Sequence, residues 1–282
     1  MDNHSSAPQK ETAVKFDWLK RLGIITGASL LALSYPLGRL TAQAQVGLSP
    51  LVIYTEIEQG QGQGVISVRN ASNEPFRARV YAEAFTYDRD TGFQTLPEES
   101  ADNLVPYLQF SPRELVVPPA TERRIRFVAQ LPPSLEDQEY RAVIFTERLE
   151  ENEVLDPSSG QTVGVVARVG TTVYAHKGDL ALPSFQATEA VWTPEDNLLQ
   201  MLVENQGEIS ALPVANWTLQ REGVDVAEGS VPPWGIIAGH ERYMPLELPE
   251  SVSLSPGQYQ VSGEFVLEQG LVEPFSLVFS VP

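Results

Sequence analysis

One series of landmarks is written twice in this chain of 282 residues. VISVRN (Val65 to Asn70) runs into the turn ASNEP, and LLQMLVEN (Leu198 to Asn205) runs into QGEIS. TERRIRFVAQLP (Thr121 to Pro132) has its counterpart in HERYMPLELP (His240 to Pro249). SLEDQEYRAVIF (Ser134 to Phe145) and SLSPGQYQVSGEF (Ser253 to Phe265) come next, each with a tyrosine six residues after its serine. VGVVARVGTTVYA (Val163 to Ala175) and EPFSLVFSVP (Glu273 to Pro282) close the two series. The same order met twice implies two copies of one folding unit, hinged near His176-Lys177-Gly178-Asp179.

Each copy reads as strands. FRARVYAEAFTY (Phe76 to Tyr87) places Phe76, Ala78, Val80, Ala82, Ala84 and Thr86 on one face. Arg77, Arg79, Tyr81, Glu83 and Phe85 fall on the other. Alternation of this length marks a half-buried antiparallel strand. LVIYTEI (Leu51 to Ile57) and VISVRN read as strands on either side of a turn at QGQGQG (Gln59 to Gly64). Further strands are expected at Leu115–Val117, Arg123–Gln130, Tyr140–Glu147 and, as one long strand, Val163–Ala175. The 22 prolines and 20 glycines argue against long helices. Short strands separated by turns suit a sandwich of two sheets. The expected fold is all-β, two tandem immunoglobulin-like β-sandwich domains over residues 45–178 and 179–282. In such sandwiches a tyrosine near the start of the sixth strand bonds backbone a few residues upstream and pins a corner. Tyr140 and Tyr259 fit that structural role, with Leu135 and Leu254 plugging the bottom of each core.

Ahead of the sandwiches, a polar stretch ends at Leu19-Lys20-Arg21 and an uncharged apolar run follows from Leu22 to Tyr35. Ala42-Gln43-Ala44 is an A-x-A cleavage candidate. This is the three-part layout of a signal peptide over residues 1–44, and the apolar run is short for a membrane span. Export to the periplasm is expected, with a mature end at Gln45. An uncut segment would leave a membrane anchor.

The net charge of −18 disfavours phosphate backbones, so nucleic acid is not an expected partner. Residues 1–44 hold five basic and three acidic side chains, which leaves 14 and 34 in the body. Cysteine is absent, which removes disulfides, zinc–thiolate sites and thiol catalysis. Beyond residue 44 the histidines are His176 and His240, one in each predicted domain, so no multi-histidine metal site or serine–histidine pair is expected. Asp88-Arg89-Asp90-Thr91-Gly92 lacks the ligand pattern of a calcium loop and reads as a hairpin tip. Glu98-Glu99 and Glu150-Glu151 read as solvated loop acids rather than a glycosidase pair. The reading is a non-enzyme with no metal, no cofactor and no small-molecule substrate.

VISVRNASNEPFRARVYAEAF, FSPRELVVPPATERRIRF and EYRAVIFTERLE, followed by a long closing strand, together resemble the PapD-like periplasmic pilus-assembly (fimbrial) chaperones. The resemblance covers about residues 48–178, and the second sandwich agrees with that family's two-domain form. It implies a periplasmic chaperone that caps and delivers incomplete β-sandwich subunits of a pilus or surface fibre by donor-strand complementation. The lent strand would be Thr162 to His176, with Val163, Val165, Ala167 and Val169 as the residues entering the subunit's groove. An outer-membrane usher would receive the subunit. The family holds its subunit's terminal carboxylate with two basic residues. Here the matching positions fall near Tyr54 and Thr172, neither of them basic, which leaves Arg168 and Lys177 as candidate anchors. The alternative reading is a PapD-like structural or binding module of the cell envelope without a chaperone cycle.

Overall fold

A computed structural model describes residues 46–97, 100–150, 152–155, 162–267 and 270–282. The expected leader over residues 1–44 and its cut before Gln45 lie outside them. Among the described residues no helix is long and apolar enough to cross a membrane, and the regular structure is β apart from one 3-10 turn, Val105–Tyr107. The described residues hold together as one compact unit.

The first half contains β1 (Val46–Ser49), β2 (Val52–Glu56), β3 (Gln61–Asn70), β4 (Phe76–Asp88), β5 (Gly92–Leu96) and β6 (Leu108–Ser111). It continues with β7 (Glu114–Val117), β8 (Glu122–Gln130), β9 (Glu139–Arg148), β10 (Asn152–Leu155), β11 (Thr162–Val165) and β12 (Arg168–His176). One sheet has the order β1-β3-β8-β6, and the facing sheet has β2-β12-β9-β4-β5 with β7 also on β4. The chain passes between the sheets at Pro50, between β1 and β2, and again at Pro112, between β6 and β7. Proline has no N–H to leave unpaired where a ladder is broken off.

The second half contains β13 (Phe185–Thr193), β14 (Leu198–Asn205), β15 (Val214–Arg221), β16 (Val224–Val231), β17 (Glu241–Leu246), β18 (Gly257–Val266) and β19 (Val272–Val281). Its sheets are β13-β14-β17 and β16-β15-β18-β19.

Period-2 patterning places the cores. In β4, Phe76, Ala78, Val80 and Ala84 are buried while Arg77 and Arg79 face water. In β8, Ile125, Phe127 and Ala129 point inward and Arg124 and Arg126 outward. All of these buried residues but Ala84 join Ile66, Val68, Ile144 and Val173 in the first core. The second core is separate, built on Leu199, Met201, Trp217, Met244, Val261 and Phe265. Each large apolar side chain so buried contributes about 1.5–3 kcal/mol.

The repeated landmarks have one hydrogen-bond logic. Asn70 and Asn205 are fully buried. Asn70 N–H donates to Thr121 O and Asn205 N–H to His240 O, both at 2.9 Å. Asn70 Nδ2 donates to Glu74 O (2.7 Å) and Val117 O (2.9 Å), and Asn205 Nδ2 to Ile209 O (2.9 Å) and Ile236 O (3.3 Å). Each amide thus closes the turn after its strand and ties it to the facing segment. Tyr140 Oη donates to Glu136 O and Tyr259 Oη to Ser255 O, both at 3.0 Å and four residues upstream. Tyr140→Phe and Tyr259→Phe should each cost about 1 kcal/mol in urea denaturation, the net worth of one such bond. A loss below the error of the measurement would show that the corners do not need the hydroxyl.

Two expectations are corrected. The turn expected at QGQGQG lies earlier, at Glu58–Gly60, where Gln59 and Gly60 have positive φ. Gln61–Gly64 already belong to β3. Its glycines serve close packing: a Cβ on Gly64 would lie 2.4 Å from the Phe127 ring, and one on Gly62 2.8 Å from Thr55 Oγ1. The single strand expected over Val163–Ala175 is two strands, β11 and β12, parted at Val166-Ala167. Its neighbour β9 explains the break. β9 ends at Arg148, whose N–H gives Ala167 O the last bond toward β12 (3.0 Å); Leu149 N–H points to the other side, as alternate residues of a strand do, and donates to Arg77 O beside β4 (3.0 Å). No ladder remains for Val166, and β11 pairs instead with β10.

Candidate functional site

The closing strand of the first half is asymmetric along its length. On one side β12 pairs with β9 throughout, from Arg168 opposite Glu147 to His176 opposite Glu139. On the other side β2 pairs with it in parallel, but only from Thr172 to His176. The last contacts on that side are Thr172 N–H to Leu51 O (2.9 Å) and Thr171 Oγ1 to Pro50 O (3.0 Å). Among the described residues no strand covers Arg168–Gly170 on that side. Beyond them Val166 is 43% exposed and Val165 44% exposed. The result is a short open sheet edge continued by two apolar side chains in water. Open edges of this kind are templates for pairing with another chain.

The four residues expected to share a donor face are divided between elements. Val163 and Val165 lie in β11, opposite Val154 and Asn152 of the hairpin partner. Ala167 lies in the gap and is half-buried. Val169 lies in β12 opposite Thr146, at the end of the row formed by Thr171, Val173 and Ala175 on the core side.

Arg168 and Lys177 are not brought together. Lys177 lies nine steps further along extended chain, about 30 Å. Arg168 lies with its guanidinium 4.1 Å from the centre of the Phe145 ring, and its Nη1 donates to Tyr81 Oη (3.3 Å). Tyr81 Oη in turn donates to Glu147 Oε2 (2.6 Å), and Arg79 Nη2 donates to Glu147 Oε1 (2.7 Å). The Tyr81 hydroxyl, followed by Arg79, holds the Glu147 carboxyl below the usual carboxylate range. Lys177 Nζ donates to Leu135 O (2.8 Å) and is ion-paired with Asp137. Near the positions where the family resemblance expects basic residues, Tyr54 stacks on Tyr174 with ring centres 5.2 Å apart. Thr172 is buried, with its N–H and its hydroxyl both directed at Leu51 O.

The outer face of the β2-β12-β9-β4-β5 sheet is aromatic. Tyr81, Phe145, Phe93, Phe85, Tyr174 and Tyr54 form an unbroken series of ring contacts. Ile237 of the second half packs into its middle, against Phe85, Val143, Phe145 and Tyr174. Arg242 lies over both Tyr87 and Trp234, 4.4 Å from each ring centre. The tip of the β4–β5 hairpin completes the contact: Tyr243 N–H donates to Arg89 O (3.1 Å) and Arg89 pairs with Glu241 (3.3 Å). Within that tip, Asp88 Oδ1 accepts from the N–H groups of Asp90 (3.1 Å) and Thr91 (2.9 Å). Among the described residues no three His, Asp or Glu side chains converge in a way that could hold a metal ion.

A buried charged cluster at the hinge was missed in the sequence. His176 Nδ1 lies 3.0 Å from Glu56 Oε1 and Nε2 3.2 Å from Glu139 Oε2. Glu139 also accepts from Ser210 N–H (2.8 Å) and from the Ser210 hydroxyl. Arg141 Nη1 donates to the same carboxylate (3.4 Å), and Arg141 is ion-paired with Asp102. Burial works to lower the pKa of His176, but its hydrogen bonds to Glu139 and Glu56 outweigh it and raise the value above 6.5. The available signal was a lone histidine at the end of a closing strand, just before Lys177-Gly178.

No family model matches the sequence, and no curated protein matches it. Among solved structures, the chain is similar to the YadV chaperone, at 10% identity and a TM-score of 0.47 over 83% of this chain and 100% of that one. It is also similar to the CsuC–CsuE chaperone–tip adhesion subunit pre-assembly complex of the archaic Csu pili of Acinetobacter baumannii, at 12% identity and 0.47 over 82% and 98%. The CupB2 chaperone of Pseudomonas aeruginosa is similar at 13% identity and 0.41 over 83% and 100%.

Proposed function

We propose that the chain is a periplasmic, non-catalytic assembly chaperone that lends the open edge of β12 and the neighbouring β11 to an incomplete β-sandwich subunit of a surface fibre. The observation that carries this reading is the uncovered edge at Arg168–Gly170, continued by solvent-exposed Val165 and Val166. A sandwich lacking a strand exposes an apolar groove and unpaired backbone. An edge that supplies both ladder hydrogen bonds and small β-branched side chains satisfies them together. Valine and alanine fill less of a groove than larger aliphatics, so the reading specifies a client with a shallow groove. Arg168, on the same edge, is the candidate partner for a client carboxylate; engaging it requires exchange of its contact with Tyr81.

One observation favours the second reading, an envelope module without a chaperone cycle. Lys177 is already committed to Asp137 and Leu135, and Arg168 already rests on Phe145 and Tyr81. Affinity purification from the periplasm of the native host separates the two. A chaperone should bring down a small β-rich subunit in one-to-one ratio and yield it to an outer-membrane usher. Recovery of the chain alone, with fibre genes expressed, would remove strand donation.

A further inference from the structure

We infer that His176 is a protonation-controlled latch that fixes the second sandwich against the first. The geometry carries it. Both ring nitrogens face carboxylate oxygens, Nδ1 toward Glu56 and Nε2 toward Glu139. A neutral imidazole has one N–H; only the imidazolium donates at both positions. Glu139 is the piece shared between the halves. It comes from β9, it is almost fully buried, and it accepts both the backbone N–H and the hydroxyl of Ser210, which lies between β14 and β15. Ser210 Oγ then accepts from Ala238 N–H (3.0 Å), beside the Ile237 that packs onto the first sandwich. The ring therefore sits one residue from the linker and, through Glu139, two hydrogen bonds from the other sandwich.

The charged surroundings set the sign. From β2 come Glu56 and the ring of Tyr54, 5.9 Å away. From β9 come Glu139 and Arg141, the latter shared with Asp102. On the linker side Lys177 and Asp137 pair with each other. Ser210, from the second sandwich, brings no charge. Loss of the histidine proton leaves Glu139 with Arg141 as its remaining cationic neighbour, at 3.4 Å. Since the folded pKa of His176 lies above 6.5, the contribution is complete below that value and disappears as pH rises through the folded pKa. The latch is closed in mildly acidic medium and open in alkaline medium, whatever client the protein serves.

The full chain has no cysteine, so two introduced ones carry the only spin labels. Labels at Gln109→Cys and Glu228→Cys, on exposed positions of the two sandwiches, report the distance between them by pulsed electron resonance. The distance distribution should be narrow at pH 6 and at least twice as broad at pH 9, with a midpoint above 6.5. His176→Gln should be broad at both pH values, and His240→Gln should titrate as the parent does. Equal widths for the parent at pH 6 and 9 would overturn the latch, as would a persisting transition in His176→Gln. If His176→Gln does not fold, Ser210→Ala takes its place. It should lose at least half of the narrowing at pH 6, and an unchanged narrow distribution there would equally overturn the proposal.

Discussion

Val165→Glu should abolish recovery of a client subunit with the chain, while Val278→Glu should leave it unchanged. Both residues are apolar and exposed, Val165 at 44% and Val278 at 66%, so neither change disturbs a core. They differ in place. Val165 extends the open edge of β12, whereas Val278 lies on β19, in the far sheet of the second sandwich. A carboxylate carried into an apolar groove without a partner costs several kcal/mol. A loss of about 3 kcal/mol is already about 100-fold in affinity. Co-purification from the periplasm, with the subunit quantified by mass spectrometry, reads the result. Equal capture by both variants would place the client elsewhere on the molecule. Loss in both would point to a general effect of added charge.

The second large effect is expected at the hinge. Glu139→Ala should destabilise the protein by about 3–5 kcal/mol, the usual consequence of removing one member of a buried charged group. The residue holds His176, Arg141 and both donors of Ser210 at once. Without it the Arg141 guanidinium keeps Asp102, while its Nε already has no partner among the described residues. The exposed Glu136, three residues earlier, is the control. Its side chain makes no bond in the corner, where its carbonyl serves Tyr140, so Glu136→Ala should stay within about 0.5 kcal/mol of the parent. Urea denaturation followed by far-ultraviolet circular dichroism measures both. A Glu139→Ala loss below about 1 kcal/mol would mean that the neighbours repack around the missing carboxylate.

What the sequence disclosed and what it hid follow from the range of the interactions. The doubled landmarks were legible because Asn70, Asn205, Tyr140 and Tyr259 each bond backbone four residues away in the chain. A local bond leaves a local signature at fixed spacing. The alternation in β4 was legible for the same reason, up to Tyr81. Past that point the second half covers the outer face, and Phe85 is buried on a side that reads as exposed. The hinge cluster has no such signature, since its members come from positions 56, 139, 176 and 210. The division of β11 from β12 was hidden because it depends on a different strand, β9, which ends at Arg148. The glycines of QGQGQG misled because a glycine looks alike in a turn and beneath an aromatic ring. Only the position of Phe127 tells them apart.

The place where β2 stops along β12 also sets a boundary for any visitor. A ribbon arriving on that side meets the chain at Pro50 and Leu51, which already hold Thr171 and Thr172. It cannot slide further toward the linker without evicting β2. Sliding by a single step would turn every one of its side chains to the opposite face. The first sandwich therefore carries its own ruler: a fixed end point against which an incoming segment would be aligned, so that the frame of such a pairing would be decided before its strength.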